Sequence, residues 1–158
     1  MTFSWHQCRT ADVTVGNSLG LYKSALLREY SLLDHRLCDL VLFVKRWAGL
    51  RGISGQTRGY LGGYAWTLLA ISFAQHATPA LVPSLQALAP HRETWVERGE
   101  RYDVAWLRAA EKAEEVEAPS PWTSAALVHG FFNFLAYGFD FHVEAASVRL
   151  GRRATRHR

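Results

Sequence analysis

Cysteine is scarce in this chain. Cys8 and Cys38 are the two that occur, with no CxxC pair and no Cys/His cluster beside either. That excludes a disulfide framework and a structural zinc site, and makes a reducing compartment the default. Long apolar runs are also missing. No stretch approaches the roughly 20 residues that span a bilayer, so no membrane partner is expected. The histidines show no metal-ligand spacing on a common face, and neither a nucleophile elbow nor a P-loop occurs. There is no internal repeat and no low-complexity tract. Acid is absent from the first eleven residues, which carry Ser4, Arg9 and Thr10 and faintly suggest a transit peptide. They lead straight into a strand-like segment, so a targeting role gets little weight. The expected location is intracellular, in mitochondrion or cytoplasm.

What is present suits one domain with a real core, since 49% hydrophobic and 20% charged residues is an ordinary globular balance. The formal charge of +4 would favour a polyanionic partner, but it is unevenly spread. Arg149, Arg152, Arg153, Arg156 and Arg158 crowd the last ten residues. Such a basic tail reads either as a solvated end or, more sharply, as an RNA or phosphate contact through Arg152 and Arg153.

Thr10 to Val15 alternates like a short strand, closed by the turn signal Gly16-Asn17-Ser18. Leu19, Ala25, Leu26, Tyr30 and Leu33 recur at near-helical spacing. Asp34 then reads as the N-cap of a second helix, with the stripe Leu37, Leu40, Val41, Val44, Trp47 and Ala48 facing a core. A glycine-rich basic loop follows over Gly49 to Gly55, and its Arg51 is a further candidate RNA or phosphate contact. The third helix, from about Tyr60 to His76, is apolar nearly all round and should be the buried centre. Pro79, Pro83 and Pro90 bound a short connection. Residues 91 to 120, rich in glutamate, read as a surface excursion with one exposed helix over about Val104 to Val116. A last helix runs from about Thr123 to Tyr137, stopped by Gly138. Phe139 to Val148 reads as a loop or short strand before the arginine tail.

Several short strings occur in a fixed order: D-V-T-V-G-N at 12 to 17, L-V-L-F-V-K-R-W-A from 40, and G-Y-L-G-G-Y-A-W from 59. P-A-L-V-P-S-L-Q, R-Y-D-V-A-W, L-V-H-G-F-F-N-F-L-A-Y-G-F-D-F and S-V-R-L-G-R follow them. Each is weak alone. Together they closely resemble the noncanonical RNA nucleotidyltransferases, the terminal uridylyltransferases and related poly(A) polymerases of the polymerase-β superfamily. The match is collinear over most of the chain.

The resemblance implies a mainly α fold: the helical central domain of a polymerase-β-type nucleotidyltransferase, with one N-terminal strand left from the palm. Residues 1–17 would be the palm strand and hinge, 18–151 the central and poly(A)-polymerase-associated domain, and 152–158 a basic tail. It implies Asp12 as the third carboxylate of a two-metal site holding Mg2+ or Mn2+, a site that needs clustered acids to hold a triphosphate and activate a 3′-hydroxyl. Asn17 would face the nucleotide, Lys45 would meet the triphosphate, and Tyr64 would stack on the base. Without the resemblance, Asp12 reads as a solvated or capping residue, Lys45 as a solvated helix lysine, and Tyr64 as core.

The departures weigh equally. The family's second lysine, one turn after the first, is here Gly49. Its ribose-facing asparagine is Lys23, which could partly replace the lost cation, and its Ser-Tyr pair is Gly63-Tyr64. The palm's Gly-Ser and D-x-D are not among these residues, and one carboxylate does not hold two divalent ions. The expectation is therefore a partial RNA terminal nucleotidyltransferase using UTP or ATP, incomplete without a catalytic palm. The alternative is an inactive relative serving as a structural or RNA-binding subunit. Either would bind RNA, and a protein partner would cover the palm-facing apolar surface.

Overall fold

A computed structural model of the chain describes residues 2–5, 9–12, 15–112 and 121–155, with side chains described over 15–111 and 121–155. In chain order the elements are β1 (Thr2–Trp5), β2 (Arg9–Asp12), α1 (Ser18–Leu33), α2 (His35–Leu50) and α3 (Gly63–His76). They continue with β3 (Thr94–Glu97), β4 (Glu100–Asp103), α4 (Ala109–Lys112), α5 (Ser124–Asn133), β5 (Glu144–Ser147) and β6 (Arg152–Thr155). The strands form three separate antiparallel hairpins around a helical core. The fold is mainly α. The strand expected before α1 is β2, which ends at Asp12 and pairs with β1.

The helices start where the sequence places them. Asp34 is extended, and its carboxylate accepts from the Arg36 N–H at 2.8 Å, capping α2. The Arg36 guanidinium closes back on the same carboxylate and also donates to the Trp122 carbonyl, so the α1–α2 junction is tied to the approach to α5. Helix α3 is the centre, with nine of its 14 residues buried. It begins at Gly63, three residues after the expected start. Gly59 there has a left-handed backbone, φ 77°, which ends the preceding 3-10 turn and delays the helix. Helices α2 and α5 cover it through edge-to-face rings. The pair Phe73–Phe131 has centroids 5.9 Å apart, and Trp47–Trp66 also 5.9 Å. The absence of a side chain at Gly130 permits this approach, because a Cβ there would sit 2.9 Å from Phe73 Cζ.

One buried polar knot joins four segments. The Tyr30 hydroxyl accepts from the Leu85 N–H at 3.1 Å and from Gln75 Nε2 at 3.0 Å. Gln75 Nε2 and the Ser84 hydroxyl both donate to the Val148 carbonyl at 3.0 Å, and Ser84 also reaches the Arg149 carbonyl at 2.7 Å. Buried polar groups cost free energy unless they are paired, so the knot fixes the strand turn at Val148–Arg149 against α1 and α3.

Two expectations are corrected. The span 104–116 is not one exposed helix: Val104 and Ala105 are buried and outside any helix, and among the described residues of the span helix occupies Ala109–Lys112. Residues 113–116 lie outside the described ones. Before it stands the β3–β4 hairpin, turned by Arg98 and Gly99, both at positive φ. The basic tail does not start at Arg152. Arg152–Thr155 is β6, paired with β5 and held by Arg153–Glu144 at 3.3 Å, with Arg153 also over the Phe134 ring. Arg156 and Arg158 lie outside the described residues. Past Asn133, α5 widens into a π-helical turn over Phe134–Gly138 and stops at Gly138, as expected.

Candidate functional site

Helices α2 and α3 meet at Lys45 and Gly63. A Cβ built on Gly63 would lie 3.4 Å from Lys45 Cε and 4.0 Å from its Nζ. Gly62, the N-cap of α3, offers no side-chain hydrogen bond. The positive end of the α3 dipole, with its free first-turn N–H groups, therefore lies beside an exposed ammonium. Two positive features side by side repel each other unless an anion sits between them. The start of α1 is the opposite case. The Asn17 side chain accepts from Gly20 N–H at 2.9 Å, and Glu97 Oε1 from the N–H groups of Ser18 at 2.9 Å and Leu19 at 3.4 Å. That helix end is already filled by the protein's own acceptors.

Tyr64 follows Gly63 in the first turn of α3 and is 41% exposed. Lys23 Nζ, from α1, lies 5.6 Å from its ring centroid, within cation–π range. Partial burial raises the Tyr64 hydroxyl above its ordinary value, so the ring stays a neutral phenol at physiological pH. Both residues line a cavity of about 570 Å³ between α1, α3 and the β3–β4 hairpin, within the roughly 300–1,000 Å³ typical of small-molecule sites. Tyr22, Trp106, Arg92, Arg101 and Arg149 complete its character. Asn17 and Lys45 are not in its lining; Lys45 borders a separate apolar groove with Leu27, Val41 and Leu42, and Tyr64 is the residue after the Gly63 that Lys45 approaches.

Arg149 is fixed in the cavity wall. Its Nη1 lies 2.7 Å from Asp103 Oδ2, and its Nη2 donates to the Asp103 carbonyl. Burial pushes the Asp103 carboxyl up. The Ala105 N–H, the Arg149 guanidinium and the charge of Arg92 outweigh that and hold it below the usual carboxylate range.

The other expected positions lie apart. Asp12 is the last residue of β2, opposite Thr2, and its side chain lies outside the described ones. Arg51 ends α2, its N–H donating to the Trp47 carbonyl at 2.9 Å, with an exposed side chain outside the cavity. Arg152 and Arg153 sit on β6. Among the described residues no three His, Cys, Asp or Glu side chains gather as a metal site. Asp103, the acid in the cavity lining, is already engaged by Arg149, and Glu97 by the start of α1. The described side chains thus do not fit a two-metal centre. No described helix is long and apolar enough to cross a membrane.

Sequence reasoning does not single out Arg92, Arg101, Tyr22 or Trp106, because residues 91–103 read only as part of a surface excursion and Trp106 as part of an exposed helix, while Tyr22 lies off the α1 stripe. The signal was the pair of runs T-W-V-E and E-R-Y-D flanking Arg98-Gly99, a two-residue hairpin pattern with an unusual first turn residue.

The helical wall thus carries a basic corner at Lys45, an exposed ring at Tyr64 and an open cavity beside it. No family model matches the chain. It is 31% identical over 153 residues to the poly(A) RNA polymerase gld-2 of Caenorhabditis elegans, covering 93% of this chain and 13% of that protein. It is 32% identical over 140 residues to the terminal uridylyltransferase cid1 of Schizosaccharomyces pombe, covering 87% of this chain and 33% of that protein. A crystal structure of the Cid1 poly(U) polymerase with MgGTP bound superposes with a TM-score of 0.76 at 28% identity, covering 89% of this chain and 42% of that one. The chain belongs to the noncanonical poly(A) polymerase and terminal uridylyltransferase family. It spans a third or less of these two curated relatives' length.

Proposed function

We propose that this chain is the nucleotide-holding helical part of an RNA terminal nucleotidyltransferase that adds uridylate or adenylate to RNA 3′ ends. The observation that carries the reading is Lys45 against the uncapped start of α3, with Tyr64 next in sequence and open to the cavity. Phosphates of UTP or ATP would take the Lys45 corner, and the base would stack on Tyr64 in place of the Lys23 ammonium. The Asn17 oxygen caps α1, and its amide nitrogen would face the ribose. Asp12 would serve as a metal ligand for Mg2+ or Mn2+ only beside further carboxylates from a palm. Leu21 on α1 and Leu42 and Leu50 on α2 are exposed apolar side chains that a protein partner would cover.

Calorimetric titration of the purified chain with UTP and ATP tests the reading. Tyr64→Ala should weaken either nucleotide by about 1–3 kcal/mol, the worth of base–aromatic stacking in other systems. Equal affinity of wild type and variant, or no binding, would refute it. The second reading, a non-catalytic structural or RNA-binding subunit, is favoured by the glycines at 49 and 63 and by the engaged acids around the cavity. It expects no incorporation of labelled UTP or ATP by the isolated chain. Incorporation that is lost in Asp12→Ala would overturn it.

A further inference from the structure

The hairpin side of the cavity has a charge imbalance that a mononucleotide on Tyr64 and Lys45 does not use. The acids of the hairpin are all occupied. Glu97 caps α1, Glu100 accepts from the Tyr102 hydroxyl, and Asp103 pairs with Arg149. Glu93, just ahead of β3, lines a separate recess with Arg108. Arg92 and Arg101 are left exposed on the cavity wall, with no ion pair to any described residue. Rings lie beside them: Tyr22 and Trp106 share the cavity, 6.4 Å apart between centroids, and Trp95 braces Tyr22 from behind at 5.4 Å.

Unpaired guanidiniums next to braced aromatic faces are the combination that binds single-stranded nucleic acid, phosphates on the cations and bases on the rings. The chain offers two sets of phosphate-seeking groups on different elements, Lys45 with the α3 start and the hairpin arginines, with Tyr64 and Lys23 joining them. A triphosphate is one compact anion and suits one set. A polynucleotide carries phosphates at regular intervals and suits the other.

We propose that Arg92 and Arg101 hold the backbone of a single-stranded RNA end, with its bases against Tyr22 and Trp106. The inference rests on the nucleotide reading of the Tyr64 side, and names the β3–β4 hairpin as the primer-holding wall of the same cavity.

The test uses the full chain and a short fluorescent oligouridylate, with anisotropy measured across a salt series. Both arginines are exposed, so Arg92→Gln with Arg101→Gln should leave folding intact, checked by thermal melting. The double variant should weaken RNA binding about tenfold and lower the slope of log K against log salt by about 1.4, two phosphate contacts for a single strand. UTP affinity, measured separately by calorimetry, should stay within about twofold. Arg28→Gln, an exposed α1 residue outside the cavity, is the charge control and should change the slope by less than half as much. An unchanged slope, an equal effect of Arg28→Gln, or a parallel loss of UTP affinity would overturn the inference. The last outcome would assign the arginines to the triphosphate. Absence of RNA binding by the wild type would also overturn it, while the UTP titration decides the nucleotide reading on its own.

Discussion

Gly49→Lys is the most informative single change. Gly49 lies one helical turn after Lys45 on α2, and a Cβ built there meets nothing within 4 Å. A lysine can therefore enter without displacing any neighbour, and i,i+4 spacing puts it on the Lys45 face. Replacing a helical glycine contributes about 0.5–1 kcal/mol, and a cation near the α2 C-terminus adds about 0.3 kcal/mol or more. At about 2–4 °C per kcal/mol for a chain of this size, the melting point should rise by roughly 2–6 °C. The effect on ligand is separate. An exposed ammonium beside a single charge contributes about 0.2–1 kcal/mol, and a triphosphate presents several charges. A gain of about 0.7–1.4 kcal/mol, three- to tenfold in affinity, follows for UTP. UMP, lacking the outer phosphates, should gain less than twofold. Calorimetry with UTP, UDP and UMP at low and moderate salt reads this directly, and the UTP gain should shrink as salt rises. A raised melting point with no change for UTP, or an equal gain for UMP, would show that phosphates do not lie at the Lys45 corner.

Tyr30→Phe keeps the ring but removes the acceptor for Leu85 N–H and Gln75 Nε2 in the buried knot. It should cost about 1–3 kcal/mol in urea denaturation, and a change below about 0.5 kcal/mol would mean the knot is not a stabilising unit. Gly151→Ala should destabilise by about 2 kcal/mol or more in a thermal melt, since φ is 58° and the new Cβ would sit 2.8 Å from Ser84 Cβ. A neutral result would show that the β5–β6 turn moves freely. Acid should unfold the chain through Asp34 and Asp103. Burial raises the Asp34 carboxyl, but the hydrogen bonds and charge of Arg36 outweigh that and lower it, and Asp103 is lowered too. A folded-state value below the unfolded value of about 3.9 gives stability that is present above that pH and lost as pH falls through the folded value. The urea midpoint should thus be flat from about pH 7 to 5 and drop below about pH 4, with Asp34→Asn blunting the drop. A midpoint independent of pH down to 3 would contradict this.

The helices were legible because each start carried its own local signal. Asp34 caps α2 by the side chain that marks it, and the stripe from Leu37 to Ala48 faces the core because 3.6-residue spacing leaves it no other face. The end of α3 at His76 and the stop at Gly138 were readable for similar reasons. The hairpins were not. A four-residue strand has too few alternations to stand out, and the β3–β4 turn uses Arg98 at positive φ, which costs more than the usual Asn or Gly. Arg152–Thr155 looked like a solvated tail because what holds it, Glu144 and the Phe134 ring, comes from elements brought close only by the fold. The candidate site divides the same way. Ordered family strings pointed to Lys23, Lys45 and Tyr64. That Lys23 would lie over the Tyr64 ring, or that Arg92 and Arg101 would border the same cavity, depends on long-range packing that no string encodes.

The burial of α3 on nearly every side has a consequence for synthesis. Its cover comes from α2, already made, and from α5, which starts nearly fifty residues later. At about 5–20 residues per second, roughly 2–10 s pass between completion of α3 and arrival of its second cover. During that interval Leu68, Leu69, Ile71 and Phe73 form a sticky nascent segment beside a half-built scaffold. Slowing translation between His76 and Ser124 should therefore raise the share of chains captured by holdase chaperones, and speeding it should lower that share.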